Sequence, residues 1–305
     1  MRSQMIKIGV MLMVTLASHQ GIGCVVAQSI SYNGSMHYTT GSYFFTENTE
    51  SVSFLNGFMV SGSRINASLS VPFIYQNSPW ISYGATGYLP TGGSQHGSLA
   101  DSSGNRPGRG QGGGGMGKFS SPASLANNSS DSTINLTDTL SYNSYSFGDP
   151  SVYANYNLIR SNNGATSLQL NANLKIPMTS TDNGFGTGEW DFGFGASLSQ
   201  RFLSNNFLYV DLMKWWYGDM PDLKLQDPLS YSIGYSRSLA NGKWLVSTSL
   251  SGFTEIINDY EPPLSVSTGL GYIISSKISM NSSLSFGLTE SSSDVALGVG
   301  WSIRL

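Results

Sequence analysis

Cysteine is nearly absent: the 305 residues contain one, Cys24. A lone thiol excludes internal disulfides and Cys-based metal sites. Charge is scarce as well. Asp, Glu, Lys and Arg make up 11% of the chain, against roughly 25% in soluble domains. The formal net charge is −3, and no basic cluster of the kind that grips nucleic acid is present. Histidine occurs three times, with no metal-ligand spacing. Beyond the first 27 residues, no apolar run approaches the roughly 20 residues of a membrane helix. If such a chain crosses a bilayer, it must cross with strands, because only helices and closed barrels satisfy every backbone polar group in lipid. What the chain does have is 12% aromatics and 36 glycines. Low charge with many aromatics is not the composition of a disordered chain.

The first residues read as an export signal. Arg2 and Lys7 precede the apolar stretch Ile8–Ala17, and Val25-Val26-Ala27 ends in a small residue, which places cleavage between Ala27 and Gln28. Cleavage would remove Cys24, together with two of the 15 basic residues and none of the 18 acidic ones, taking the formal charge from −3 to −5. In the alternative lipoprotein reading, Gly21-Ile22-Gly23-Cys24 makes Cys24 the acylated first residue.

The remainder alternates. In Ser167–Met178, Leu168, Leu170, Ala172, Leu174, Ile176 and Met178 fall on one face of a strand, and Ser167, Gln169, Asn171, Asn173 and Lys175 on the other. Residues 190–202 repeat the pattern with Trp190, Phe192, Phe194, Leu198 and Phe202 against Asp191, Gly193, Gly195, Ser197, Ser199 and Arg201. Residues 264–274 and 278–288 do the same, interrupted at Thr268 and Ser282, and so do residues 294–305. A soluble sandwich also alternates. Segments of about 10–13 residues are longer than its usual 5–6, however, and match a tilted membrane strand. Aromatics near segment ends, such as Trp190, Trp216, Trp244 and Tyr272, fit interfacial girdles.

The pattern predicts an all-β fold, an antiparallel transmembrane barrel of about twelve strands, near 35–46, 51–62, 64–76, 150–160, 165–178, 189–202, 207–218, 228–239, 243–255, 263–275, 277–289 and 293–305. An even count sets both ends on the periplasmic side, and the connections after even strands are indeed short. Residues 28–305 read as a single barrel domain. Its one anomaly is 77–149, rich in Gly and Ser, which reads mostly as a flexible outer loop. A strand pair within Trp80–Tyr88 or Leu136–Phe147 would raise the count to fourteen.

Catalytic and nucleotide motifs fail on context. Gly112–Lys118 matches the start of a phosphate-binding loop, yet Phe119 stands where a Ser or Thr belongs and no strand-to-helix turn surrounds it. Gly184–Gly188 reads as a hairpin loop. Beyond the signal, His37 and His96 are the only imidazoles, and neither has an evident acid partner. No cofactor or metal is implied. The strongest candidates for contact with a permeant are charged residues on polar faces: Lys175, Asp191, Arg201, Lys277, Asp294 and Arg304. Their phase aims them at the lumen, since Arg or Lys on the lipid face costs about 2–4 kcal/mol near midplane. A hairpin centred near position 183 sets Lys175 opposite Asp191 at the outer mouth, where a wet ion pair contributes only about 0–1 kcal/mol. Asp211 and Lys214 have opposite phase in one strand, so both cannot point inward.

From Phe147 onward the chain resembles a family of outer-membrane transporters related to the meta-pathway phenol-degradation protein. The resemblance rests on Gly148-Asp149-Pro150, Leu174-Lys175-Ile176-Pro177, the Gly184–Gly188 loop with Asp191, and Phe207–Gly218, and it is densest over 147–240. Met178 departs from the Thr usual in that family. The resemblance implies an outer-membrane location and uptake of small, often aromatic or apolar, compounds. The expected partners are a small-molecule substrate, outer-membrane lipid and the assembly machinery, which generally reads a terminal Phe or Trp where Leu305 stands. The alternative is a structural or surface-interaction barrel with a closed lumen.

Overall fold

The computed structural model describes residues 29–45, 48–92, 144–161, 164–180, 184–221 and 223–305. The proposed signal, Cys24, His96, the Gly112–Lys118 motif and residues 93–143 of the long loop lie outside the described residues.

The wall is built from β1 (Ser29–Gly41), β2 (Thr49–Ser61), β3 (Ile65–Gln76), β6 (Ser144–Phe147) with β7 (Ser151–Arg160), β8 (Thr166–Lys175), β9 (Asp191–Phe202), β10 (Asn206–Trp216), β11 (Leu229–Leu239), β12 (Trp244–Phe253), β13 (Leu264–Ile273), β14 (Ile278–Gly287) and β15 (Val295–Arg304). Every neighbouring pair is antiparallel, and the sheet closes because β1 pairs with both β2 and β15. Closure leaves no sheet edge, as a lipid environment requires. The wall strand after β3 is interrupted: β3 pairs with β7 over Ile65–Ser70 and with β6 over Phe73–Gln76. Between the two pieces lies Gly148-Asp149-Pro150. Pro150 has no N–H to donate and disfavours helical geometry at Asp149. The Gly148 N–H instead bonds the Pro72 carbonyl across the break at 2.9 Å. Counting β6 with β7 gives twelve wall strands.

Two details differ from the sequence reading. The first strand begins at Ser29, six residues before the expected 35, and ends at Gly41. Tyr43-Phe44-Phe45, expected within the first strand, turn out of the sheet with Tyr43 at φ 47° and are buried. The segment at 80–88 adds nothing to the wall. It forms β4 (Ser82–Gly84) and β5 (Gly87–Leu89), a separate two-stranded sheet. Within 136–147, the described Ser144–Phe147 only lengthens an existing wall strand. The count therefore stays at twelve.

The expected lipid face points outward. Phe194, Phe286 and Val299 are exposed. Leu168, Leu170, Leu174, Phe192, Leu284 and Val295 share that face but are partly covered by neighbouring side chains. In this respect a barrel wall inverts a soluble protein, whose large apolar groups go inside. The lumen side is mostly Ser, Asn, Gly and Tyr, and the apolar core is not in the middle of the barrel. It lies at the outer end, where Tyr43, Phe44, Phe45, Trp80, Ile81, Leu89, Trp215, Tyr217, Met220, Leu223, Leu225, Ile256, Ile257 and Tyr260 cluster. The outer loops thus meet over the lumen. At the opposite end, which carries both ends of the wall, the described connections are short turns, the pattern of a periplasmic rim.

Candidate functional site

The β4–β5 hairpin occupies the outer mouth. Ser82 and Thr91 are fully buried and share a hydroxyl–hydroxyl bond of 2.6 Å. The Gly92 N–H returns to the Trp80 carbonyl at 2.8 Å and closes the loop on itself. On one side the Tyr88 hydroxyl faces Ser51 and Ser53 on the lumen side of β2. On the other, Tyr83 donates its N–H to Gly184 O at 3.2 Å, and the Thr86 hydroxyl lies 2.7 Å from that of Tyr217. The hairpin therefore bridges the mouth. Burial pushes the Tyr43, Tyr83 and Tyr217 hydroxyls well above their ordinary pKa, so they serve as neutral hydrogen-bonding groups.

Beside this plug sits a buried charge cluster. Lys175 and Asp191 stand directly opposite each other in the β8–β9 register, with Lys175 Nζ 3.4 Å from Asp191 Oδ2. The expected wet mouth is absent, because Lys175 is 1% exposed. Its ammonium also reaches Asp149 Oδ2 at 2.8 Å, Thr187 Oγ1 at 2.8 Å and Glu189 O at 2.6 Å. Asp149 Oδ1 accepts the N–H groups of Met178 and Thr179 and the Thr179 hydroxyl, all at 2.8–2.9 Å. Asp191 accepts the Gly218 N–H at 3.2 Å and faces the amide of Ala85 in the hairpin turn. The cluster thus ties the broken wall strand, the 176–190 loop, the end of β10 and the plug to one point. An exposed pair has been replaced by a buried network, for which a surface energy does not apply.

Asp149 is the residue that the charged-face argument missed. It lies on no alternating strand, and the available signal was its place between Gly148 and Pro150, where chain geometry is restricted. Gly186 approaches so closely that an added Cβ would collide with the Asp149 carboxylate and the Thr179 hydroxyl.

The other candidates do not join this cluster. Arg201, half-buried, lies near the periplasmic end of β9. Arg304 ends β15 at the same rim. Lys277 is outside the strand it was assigned to, exposed in the turn before β14, where its carbonyl accepts the Arg304 N–H at 2.8 Å. Asp294 is exposed at the outer rim, with Oδ2 3.4 Å from the Ser42 N. The Asp211–Lys214 conflict resolves by depth. Asp211 faces inward opposite Ser197 and Ser232. Lys214 points outward near the outer end, and its ammonium bonds the Asp227 carbonyl.

Below the plug, nearer the periplasmic end, the lumen holds a cavity of about 390 Å³ whose side-chain lining includes Asn33, Ser35, His37, Ser68, Ser70 and Asn281. His37 Nε2 lies 3.0 Å from Ser35 Oγ. Among the described residues no carboxylate bonds this ring, so the two do not form a triad. Nor do the described residues contain a cluster of three metal-ligating side chains.

The architecture is shared with solved barrels. The COG4313 outer membrane channel from Pseudomonas putida F1 superposes with a TM-score of 0.63 at 9% identity, covering 94% of this chain and 98% of that one. The KdgM porin gives 0.47 at 7% identity over 91% and 99%. The P. putida toluene transporter TodX gives 0.45 at 15% over 91% and 90%. At such identities the first likeness establishes the fold alone, and the closed barrel places the protein in a bacterial outer membrane. No curated protein is significantly similar in sequence. The model of the family described as "Putative MetA-pathway of phenol degradation" matches residues 110–305, and the chain belongs to that family.

Proposed function

We propose that this protein is a gated outer-membrane channel for the uptake of small uncharged molecules, phenol-like aromatics among them. The observation that carries the reading is the lumen itself, which has a neutral cavity beneath an inward-folded hairpin, lined by hydroxyl and amide groups together with apolar side chains such as Leu55. The cavity, at about 390 Å³, lies within the roughly 300–1,000 Å³ range of small-molecule sites. Hydroxyl and amide groups match a single polar handle on an otherwise apolar ring, and no full charge need be desolvated to pass. The description of the family points to the same substrate class.

In this reading residues 1–27 are the export signal and 28–305 a single barrel domain. Lipid surrounds the apolar belt, and the assembly machinery is the partner during insertion. Lys175 and Asp191 act by holding the plug. Arg201, Lys277 and Arg304 act at the exit, and Asp294 at the outer rim. A closed structural barrel is the second reading, favoured by the buried cluster across the outer mouth.

Planar-bilayer recording separates the two. The channel reading expects discrete conductance steps. It also expects a several-fold larger conductance when residues 80–91 are replaced by a short Gly-Ser turn, with phenol flux into liposomes rising in parallel. An electrically silent barrel, with and without the hairpin, establishes the closed reading.

A further inference from the structure

The charges of the barrel are segregated along its axis. At the periplasmic rim Arg64, Arg160, Arg237, Lys243, Lys277 and Arg304 are all exposed. No acidic side chain occurs among the strand ends and turns that form this rim. Every described Asp and Glu lies at the outer end except Asp211, in the middle of β10. The six cations sit on the β2–β3, β7–β8, β11–β12 and β13–β14 connections or their flanks and at the end of β15, so they are spread around the circumference.

Arg64, Arg237 and Lys243 also border an aromatic belt, whereas Arg160 and Arg304 stand opposite Ser167 and Ser31 with the lumen phase. Trp244 and Tyr272 pack with ring centroids 4.3 Å apart, and Phe202 with Tyr235 at 6.2 Å. Arg64 Nη1 lies 3.5 Å from the Tyr156 hydroxyl. Arg237 shares the outward phase of Tyr231, Ile233 and Tyr235, so its guanidinium leaves the wall on the lipid side. Aromatic rings mark the interface, and Lys and Arg just beyond them extend to the headgroups.

We propose that the periplasmic rim is a binding surface for the anionic headgroups of phospholipids in the inner leaflet. Three features select lipid over a protein partner. The charges encircle the barrel where a partner would need one arc. The described turns between them are Gly, Ser, Asn and Ala, with Leu203 and Ile274 as isolated exposed apolar side chains and none of the clustered aromatic anchors that protein interfaces use. The surface continues the lipid belt of the wall. Unopposed cations beside a membrane attract anionic lipid over zwitterionic lipid in a salt-dependent way.

The test is native mass spectrometry of the full-length detergent-solubilised barrel titrated with phosphatidylglycerol or phosphatidylethanolamine, alone and as R64Q/R237Q/K243Q. These three side chains lie outside the plug and the buried cluster, and heat-modifiable migration on gels checks that the variant folds. Wild type should retain phosphatidylglycerol about tenfold better than phosphatidylethanolamine, with the preference shrinking at high ionic strength. The triple variant should lose most of it. If that variant fails to fold, R237Q alone should reduce the preference measurably. Equal retention of the two lipids by wild type, or a preference unchanged in the folded variants, overturns the proposal. Unchanged lipid retention with altered anion selectivity assigns the rim to the lumen exit and equally overturns it.

Discussion

Lys175 is the side chain on which most of the outer half converges. An ammonium at 1% exposure is tolerable only because four oxygens replace its water, two of them from carboxylates. Such a network adds little net stability over a well-packed apolar core, but removing one member leaves the others charged and dry. Lys175→Met should therefore destabilise the barrel by about 3–5 kcal/mol, against the 0–1 kcal/mol of an exposed pair. Reversible urea unfolding in detergent micelles measures the difference. A loss below about 1 kcal/mol would show that the cluster is wet after all. The pairing with Asp191 was legible from the sequence, since a hairpin centred near 183 brings 175 and 191 opposite each other. Its burial was not, because the oxygens that enclose it come from Asp149 and the 176–190 loop, and local spacing carries no information on that approach.

At the scale of the element, the strands were legible and the plug was not. Alternation fixes which residues face lipid, and β2, β3 and β7 to β15 fall within a few residues of where the pattern puts them. A closed barrel forces this agreement, because a slip of one residue exposes polar groups to lipid along a whole strand. The plug obeys no such rule. Residues 77–92 have the Gly, Pro, Ser and Thr content of a loop. Yet Trp80, Ile81 and Leu89 find apolar partners in three other loops, which no local pattern encodes. The same misreading moved the first strand, since Tyr43–Phe45 belong to the cap. The cap's tyrosines yield a pH prediction with a definite sign. Burial raises the folded pKa of Tyr43, Tyr83 and Tyr217, whereas the exposed phenol titrates near 10. Their contribution to the closed cap is thus fully present below about pH 10 and is lost as pH rises beyond it. Single-channel conductance should rise as the pH is taken from about 10 to about 12 while the wall stays folded by circular dichroism. A flat conductance across that range, with a folded wall, would mean that the cap does not depend on these neutral phenols.

At the scale of the molecule, the question is what the long insertion 93–143 contributes to a barrel that already closes without it. Each wall strand pairs on both sides with described neighbours, except the short β6, which pairs with β3 alone. The seam between β1 and β15 runs over ten residue pairs, from Ser31 with Arg304 to Thr40 with Val295. There Trp301 covers Gly34, where a Cβ would collide with the indole, an aromatic-on-glycine contact on the outer face of the wall. The cap cluster likewise draws its members from 43–45, 80–89, 215–225 and 256–260, all outside the insertion. The strand pairing that closes the wall and the cap cluster both form among residues outside 95–130. The cost of closing a flexible loop grows only slowly with length, about 0.6 kcal/mol per doubling, so shortening the connection changes stability little in either direction. A variant lacking 95–130 should insert, migrate as a folded barrel before heating and resist protease within its strands. Its unfolding midpoint should lie within about 1 kcal/mol of wild type. If deletion abolishes the folded barrel, the insertion must carry structural contacts that the wall and cap do not reveal. If the barrel survives with larger conductance, the insertion contributes to occlusion together with the β4–β5 hairpin.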